Sequence, residues 1–151
     1  ASNNAIQQKV NVLKIATVTD VDSGSGNVEV NNNAGKIAAH LRIVTSEEGT
    51  NVHVATNSTL DNGVLWEATL VNGAAAVTLN TAHPYYPKAY LPNKANSVVV
   101  QALDFLLWSL AQAELNNLNA QNKDAFEEFR IEVSRNLKKL VADLPDPPEE
   151  A

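Results

Sequence analysis

Apolar and polar residues alternate at Val28 and Val30, at Ile37, Ala39, Leu41 and Ile43, at Val52 and Val54, and at Ala75, Val77 and Leu79. A period of two sends successive side chains to opposite faces, so this half of the chain predicts a half-solvated antiparallel sheet. The breaks between the runs carry residues that tolerate positive φ: "DSGSGN" from Asp22, "NNNAG" from Asn31, "DNG" from Asp61 and "NG" at Asn72. Asn72-Gly73, set between two apolar runs, is the composition of a type I′ hairpin turn, whose twist matches that of its strands.

Beyond Asn96 the period changes. "SVVVQALDFLLWSLAQAELNNL" is too long for a strand and spaces Leu103, Leu106, Leu107, Leu110 and Ala111 as a helix does, with Ser97 or Asn96 in place to cap its first turn. It is apolar on nearly every side, which predicts a helix covered on more than one face. In "NKDAFEEFRIEVSRNLKKLVADL" one stripe runs through Phe126, Phe129, Val133, Leu137, Leu140, Val141 and Leu144. That amphipathic helix is expected to supply the cover, with Asn119 to Asn122 as the link of an antiparallel helical hairpin.

The expected architecture is therefore α+β, an antiparallel sheet packed against a C-terminal helical hairpin. One domain over 1–144 has strands within about 6–80, a connector at 81–95 and helices at about 97–118 and 122–143. A proline-rich acidic tail, 145–151, follows and reads as a frayed end or a linker.

With 151 residues the chain is long enough for one core, and a net charge of -6 without a basic run disfavours direct nucleic-acid binding. The chain has no cysteine, so it carries neither disulfides nor thiolate metal sites. With no signal-peptide pattern at its start, it is expected to lie away from membranes, in the cytoplasm. It also has no methionine, which suggests a processed product or a piece of something longer.

Sites of chemistry are few. Asp22, Gly24 and Gly26 in "DSGSG" spell D-x-G-x-G, the box whose aspartate reads the adenine amino group in GHKL ATPases such as gyrase B, MutL and histidine kinases. There the box follows a helix with a metal-binding Asn and precedes another helix and a lid. Here strand-like text stands on either side, so a plain glycine turn is the simpler reading. The aspartates nearby lack the spacing and closing glutamate of an EF-hand.

His40 and His53 fall opposite the apolar residues of their strands, which predicts exposed or edge positions, and His83 stands alone, so no metal site is expected. No P-loop, cysteine nucleophile or G-x-S-x-G elbow occurs, so neither a cofactor nor independent catalysis is expected. Trp66 and Trp108 read as core aromatics, and Glu127, Glu128 and Glu132 as a solvated helix face.

"LNTAHPYYPKAYLP", from Leu79 to Pro92, gathers all three tyrosines of the chain. Prolines at 84, 87 and 92 predict extended conformations at His83, Tyr86 and Leu91, and hence a stiff crossover from sheet to helix. Alternatively, Tyr85, Tyr86 and Tyr90, with His83, form an interface patch, because tyrosines on rigid backbone are common anchors.

The stretch "LWEATLVNGAAAVTLNTAHPYYPKAYLP" and the two helices after it resemble the C-terminal part of prokaryotic and phage proteins that carry a GHKL-type ATPase domain at their N-terminus. The matching text is Asn-x-x-His-Pro-Tyr-Tyr at Asn80, His83, Pro84, Tyr85 and Tyr86, and the resemblance covers about residues 64–140. It implies a non-catalytic accessory or oligomerisation domain, acting as a homodimer or with an ATPase domain. The nucleotide-binding half is absent, so ATP hydrolysis by this chain alone is not implied. The competing expectation is a standalone ligand-binding or virion-type structural domain matured from a precursor, its Asn- and Thr-rich sheet face offered to a polar ligand.

Overall fold

The computed structural model describes residues 1–46, 51–94 and 97–146. Asn96, one of the two expected caps, and the tail beyond Asp146 lie outside the described residues. The elements in chain order are α1 (Ser2–Gln7), β1 (Thr17–Asp22), β2 (Asn27–Asn32), β3 (Gly35–His40), β4 (Arg42–Val44), β5 (Val54–Asn57), β6 (Trp66–Val71), β7 (Ala74–Asn80), α2 (Val98–Asn117) and α3 (Lys123–Val141). A 3-10 turn occupies Asp61–Gly63 and a π turn Tyr86–Tyr90.

The α+β class is as the pattern implies, but the strands form two sheets. β1, β2 and β3 make an antiparallel meander, while the second sheet has the order β4-β6-β7-β5. In that second sheet only β6 and β7 run antiparallel; β4 pairs parallel with β6, and β5 parallel with β7. The alternation from Ile37 to Ile43, which reads as one strand, is divided at Leu41. Its amide donates to the Gly26 carbonyl at 2.9 Å, and the chain then leaves the first sheet for the edge of the second.

The β6–β7 hairpin turns as its sequence implies: Asn72 and Gly73 have φ of 50° and 83°, the left-handed values of a type I′ turn. Nearly every residue of these two strands is buried, so the centre of the second sheet is not half-solvated. Trp66, Ala68, Ala75, Val77 and Leu79 join the main core with Leu107, Trp108, Ala111 and Leu115 of α2. Val71 and Ala76 pack in a smaller cluster with Val52, from the segment that crosses between the two edge strands. On the same sheet face as Val71 and Ala76 the Thr69 and Thr78 hydroxyls hydrogen-bond each other at 2.8 Å across the strand pair.

The N-terminus, expected to enter the first strand near residue 6, begins instead with the short helix α1, too brief to show a period. α1 contributes the buried Ile6 to the core and places Asn3 Oδ1 2.8 Å from the backbone amides of both His53 and Val54, from which it accepts. His53 is consequently buried, not exposed, and its Nε2–H donates to Gln7 Oε1 at 2.8 Å.

α2 starts where expected, with the Ser97 hydroxyl accepting from the Val100 amide at 3.2 Å. Its far end is closed by the β2–β3 turn, where the Asn32 side-chain Nδ2 donates to the carbonyls of Leu115 at 2.7 Å and Leu118 at 2.8 Å. In the link to α3, Asn122 Oδ1 accepts from the Asn119 amide at 2.7 Å and Asn119 Oδ1 from the Asn122 amide at 3.0 Å. α3 leans on β6 and the 61–63 turn more than on α2, so the cover expected for α2 is partial. Val133 and Leu137 reach the core, whereas Phe129, Leu140 and Leu144, read as part of the same stripe, are exposed.

Candidate functional site

The Asn-x-x-His-Pro text builds a buried polar joint. Asn80, the last residue of β7, donates from its side-chain amide to the Val64 carbonyl at 2.9 Å and accepts from the Ala82 amide at 2.9 Å. His83 Nδ1 accepts from the Tyr85 amide at 3.1 Å, which leaves the proton on Nε2, and this donates to the Ser134 carbonyl of α3 at 2.8 Å. The Ser134 hydroxyl in turn accepts from the Leu65 amide at 2.8 Å. Asn80 and His83, with Ser134, thus bind the end of β7, the approach to β6 and the middle of α3.

This joint corrects two expectations about the connector. His83 and Tyr90 are only 3% and 6% exposed, so neither offers an interface; Tyr85 and Tyr86 are partly buried against the core. The Tyr86 and Tyr90 rings stack at 5.2 Å, and Tyr85 meets Tyr90 edge-on at 6.4 Å. The backbone is also not extended before each proline. Tyr86 opens the π turn, with Pro87 in its first positions where an amide would go unpaired, and Leu91 before Pro92 has helical φ and ψ of -62° and -32°. Lys88 leaves this turn to donate to the Leu144 carbonyl at 2.6 Å and to Asp146 at 2.8 Å, tying the start of the tail to the connector.

Asp22, Gly24 and Gly26 form the β1–β2 turn. The Asp22 carboxylate accepts from the Gly24 amide at 3.0 Å, and the Gly26 amide bonds the Asp22 carbonyl at 2.8 Å. The Ser25 hydroxyl, with the amides of Gly24 and Ser25, holds the Asp22 carboxyl below its ordinary value. An aspartate so engaged has a local task that accounts for it without adenine. Gly26 is required by close approach: at φ +80° a Cβ would lie 2.7 Å from the His40 ring and 2.8 Å from the Leu41 carbonyl. Gly26→Ala is expected to lower stability by about 2 kcal/mol in urea denaturation, against a small effect at Gly24, where a Cβ would meet only Asp22 Oδ1 at an ordinary 3.4 Å.

A groove of about 600 Å³ lies between β4, the 61–63 turn, α2 and α3. Two ion pairs line it, Arg42 to Glu67 at 2.6 Å and Arg130 to Glu114, and together they link β4 to β6 and α3 to α2. Burial pushes the Glu114 carboxyl up, and Arg130 opposes that shift. Both arginines in the groove are paired with carboxylates, Arg42 through Nε and Arg130 through Nη1. Among the described residues, no three His, Cys, Asp or Glu side chains gather as a metal-holding group. Glu127 and Asp124 stand at the rim of this groove. The pairing of Glu114 with Arg130 left no mark in the sequence beyond one of two acids in an apolar helix.

The remaining unusual surface is α2 itself. Its inner side is buried and includes Asp104, Gln112 and Asn116, while Val98, Val99, Phe105 and Leu106 face out, Val98 being 83% and Leu106 57% exposed. Val99, Ala102, Leu106, Ser109 and Ala113 are all exposed and follow one another by alternating steps of three and four residues. That spacing keeps them on one seam of the helix. The two charged residues of α2, Asp104 and Glu114, are both turned away from it. By length and composition α2 could cross a membrane, a test that the core helices of soluble proteins also pass. Comparison with family models, with curated proteins and with solved structures finds no significant match to this chain.

Proposed function

We propose that this domain is a non-catalytic interaction module that self-associates through the outer seam of α2. One observation carries the reading: a helix of 20 residues has no polar face, yet only its inner side is covered. Large apolar side chains turned to water are a penalty that an isolated monomer gains nothing from, and contiguous patches of them mark contact surfaces. Ala102, Ser109 and Ala113 are small enough for a second helix to approach closely along the seam. The same seam on two copies is complementary to itself, as a twofold interface requires, and it brings no like charges together.

The resemblance of the connector to GHKL-ATPase proteins suggests an ATPase domain as a further partner, for which this module would serve as the oligomerising accessory. The reading frame upstream of Ala1 tests that part: a GHKL fold encoded there supports it, and its absence from the natural gene removes it.

Sedimentation velocity over a range of concentrations tests self-association. The wild type is expected to dimerise, and Leu106→Glu to weaken the dimer at least tenfold while leaving the thermal midpoint of the monomer unchanged, because Leu106 is mostly exposed in the monomer. A wild type that stays monomeric at the highest attainable concentration sinks the proposal.

A further inference from the structure

Two Asn-Gly pairs stand in turns of this chain, Asn62-Gly63 and Asn72-Gly73. In both the asparagine is left-handed, with φ of 58° at Asn62 and 50° at Asn72, and nothing lies within 4 Å of where a Cβ on either glycine would sit. The glycines are equally unhindered, so the two sites differ in what holds the asparagine.

Asn72 is clamped. Its Oδ1 accepts from the Ser46 amide at 2.9 Å, its Nδ2 donates to the Ser46 carbonyl at 3.2 Å, and its own backbone amide donates to the Val44 carbonyl at 3.0 Å. The strands it joins are nearly all buried and are paired up to Val71 and Ala74. Asn62, by contrast, is exposed together with Asp61 and Gly63, and its side chain has no hydrogen-bond partner among the described residues. A bond of 3.4 Å, from the Val64 amide to the Asp61 carbonyl, closes its turn.

We propose that Asn62 is a site of spontaneous deamidation in the folded protein and that Asn72 is protected from it. The Gly63 amide nitrogen attacks Asn62 Cγ; the Cγ–Nδ2 bond breaks, and ammonia leaves with the proton that Gly63 gives up, closing a cyclic succinimide. Water then adds to one ring carbonyl or the other. Opening at Cγ leaves aspartate, and opening at the backbone carbon leaves isoaspartate, with the main chain running through the side chain. Ring closure needs the peptide plane after the asparagine to swing away from the turn, at Asn62 from a ψ of 15°, until the glycine nitrogen meets Cγ. At Asn62 that takes the opening of three exposed residues; at Asn72 it takes release of the clamp and unzipping of the central hairpin. Either product sets a carboxylate beside Asp61 at the rim of the groove that contains the Arg42–Glu67 pair, where Asp61 already acts on Arg42. The site does not depend on self-association, since none of these residues belongs to the outer seam of α2.

The test is peptide mapping by mass spectrometry of the whole chain aged at mildly alkaline pH, folded and in urea, with a glutamate-specific protease that cuts at Glu67, between the two sites. In the folded protein Asn62 is expected to gain the mass of an amide-to-acid conversion at least tenfold faster than Asn72, giving both aspartate and isoaspartate, and in urea the two rates are expected to converge to within about threefold. Asn62→Gln, whose longer side chain closes a ring far more slowly, is expected to remove the early mass gain. Equal rates in the folded chain, a ratio that is the same folded and in urea, or an Asn62 that stays intact while the urea sample is converted overturns the inference.

Discussion

Replacing His83 with alanine is expected to cost about 3–5 kcal/mol, a large share of the stability of a domain this size. The imidazole is buried and makes two bonds across the joint, to the Tyr85 amide and to the Ser134 carbonyl. Truncation leaves both backbone groups unpaired in the interior and adds a ring-sized cavity, and each of these effects destabilises. Urea denaturation of wild type and variant measures the difference; a loss below about 1 kcal/mol would mean that the joint is incidental to the fold.

The same substitution has a signature in pH. Burial lowers the His83 pKa from its ordinary 6.5, against the Ser134 carbonyl, which favours the protonated ring, and with help from Lys138. The unfolded chain therefore binds the proton first. Stability from the neutral ring is fully present above pH 6.5 and is lost as pH falls through the folded value. The gap between wild type and His83→Ala should accordingly narrow on acidification. His53, also lowered by burial, keeps some acid sensitivity in both proteins.

Asn32→Ala is expected to cost about 2–4 kcal/mol, with Asn32→Asp worse than alanine. The one amide closes two carbonyls at the end of α2, while its oxygen accepts from the Ala34 amide at 2.9 Å within its own turn. Alanine leaves those carbonyls open. Aspartate keeps the turn but sets a negative charge against two carbonyl oxygens and the negative end of the helix dipole. Hydrogen exchange should show the loss concentrated in β2, β3 and the last turn of α2, because Asn32, together with its neighbour Asn33, ties the first sheet to the end of that helix. An even loss of protection across both sheets would contradict that role.

Features whose causes lie within a few residues were legible beforehand. Asn72-Gly73 needs nothing beyond its own φ angles to turn, and Ser97 caps α2 from three residues away. Trp66 and Trp108 are core residues, as their surroundings implied. The connector text was distinctive, but its meaning was not: His83 is a structural tie because Ser134, 51 residues later, stands where it can accept. Nothing near His83 in the chain announces that partner. The buried hydrogen bond from Ser2 to Asp104 was equally hidden, since the two are 102 residues apart.

Periodicity and turn chemistry alone determined that the strands precede the two long helices, where the β6–β7 hairpin turns and where α2 begins, since these follow from steric preferences of short segments. Tertiary structure decided which strands pair in parallel, because β4 and β5 find their neighbours only after the chain crosses the sheet. It also decided which side of α2 faces in. A pattern read by hydrophobicity would send Asp104 and Gln112 to water and bring Leu106 inside. The fold does the reverse, since a helix apolar all round has no preferred rotation until distant groups such as the Ser2 hydroxyl supply one.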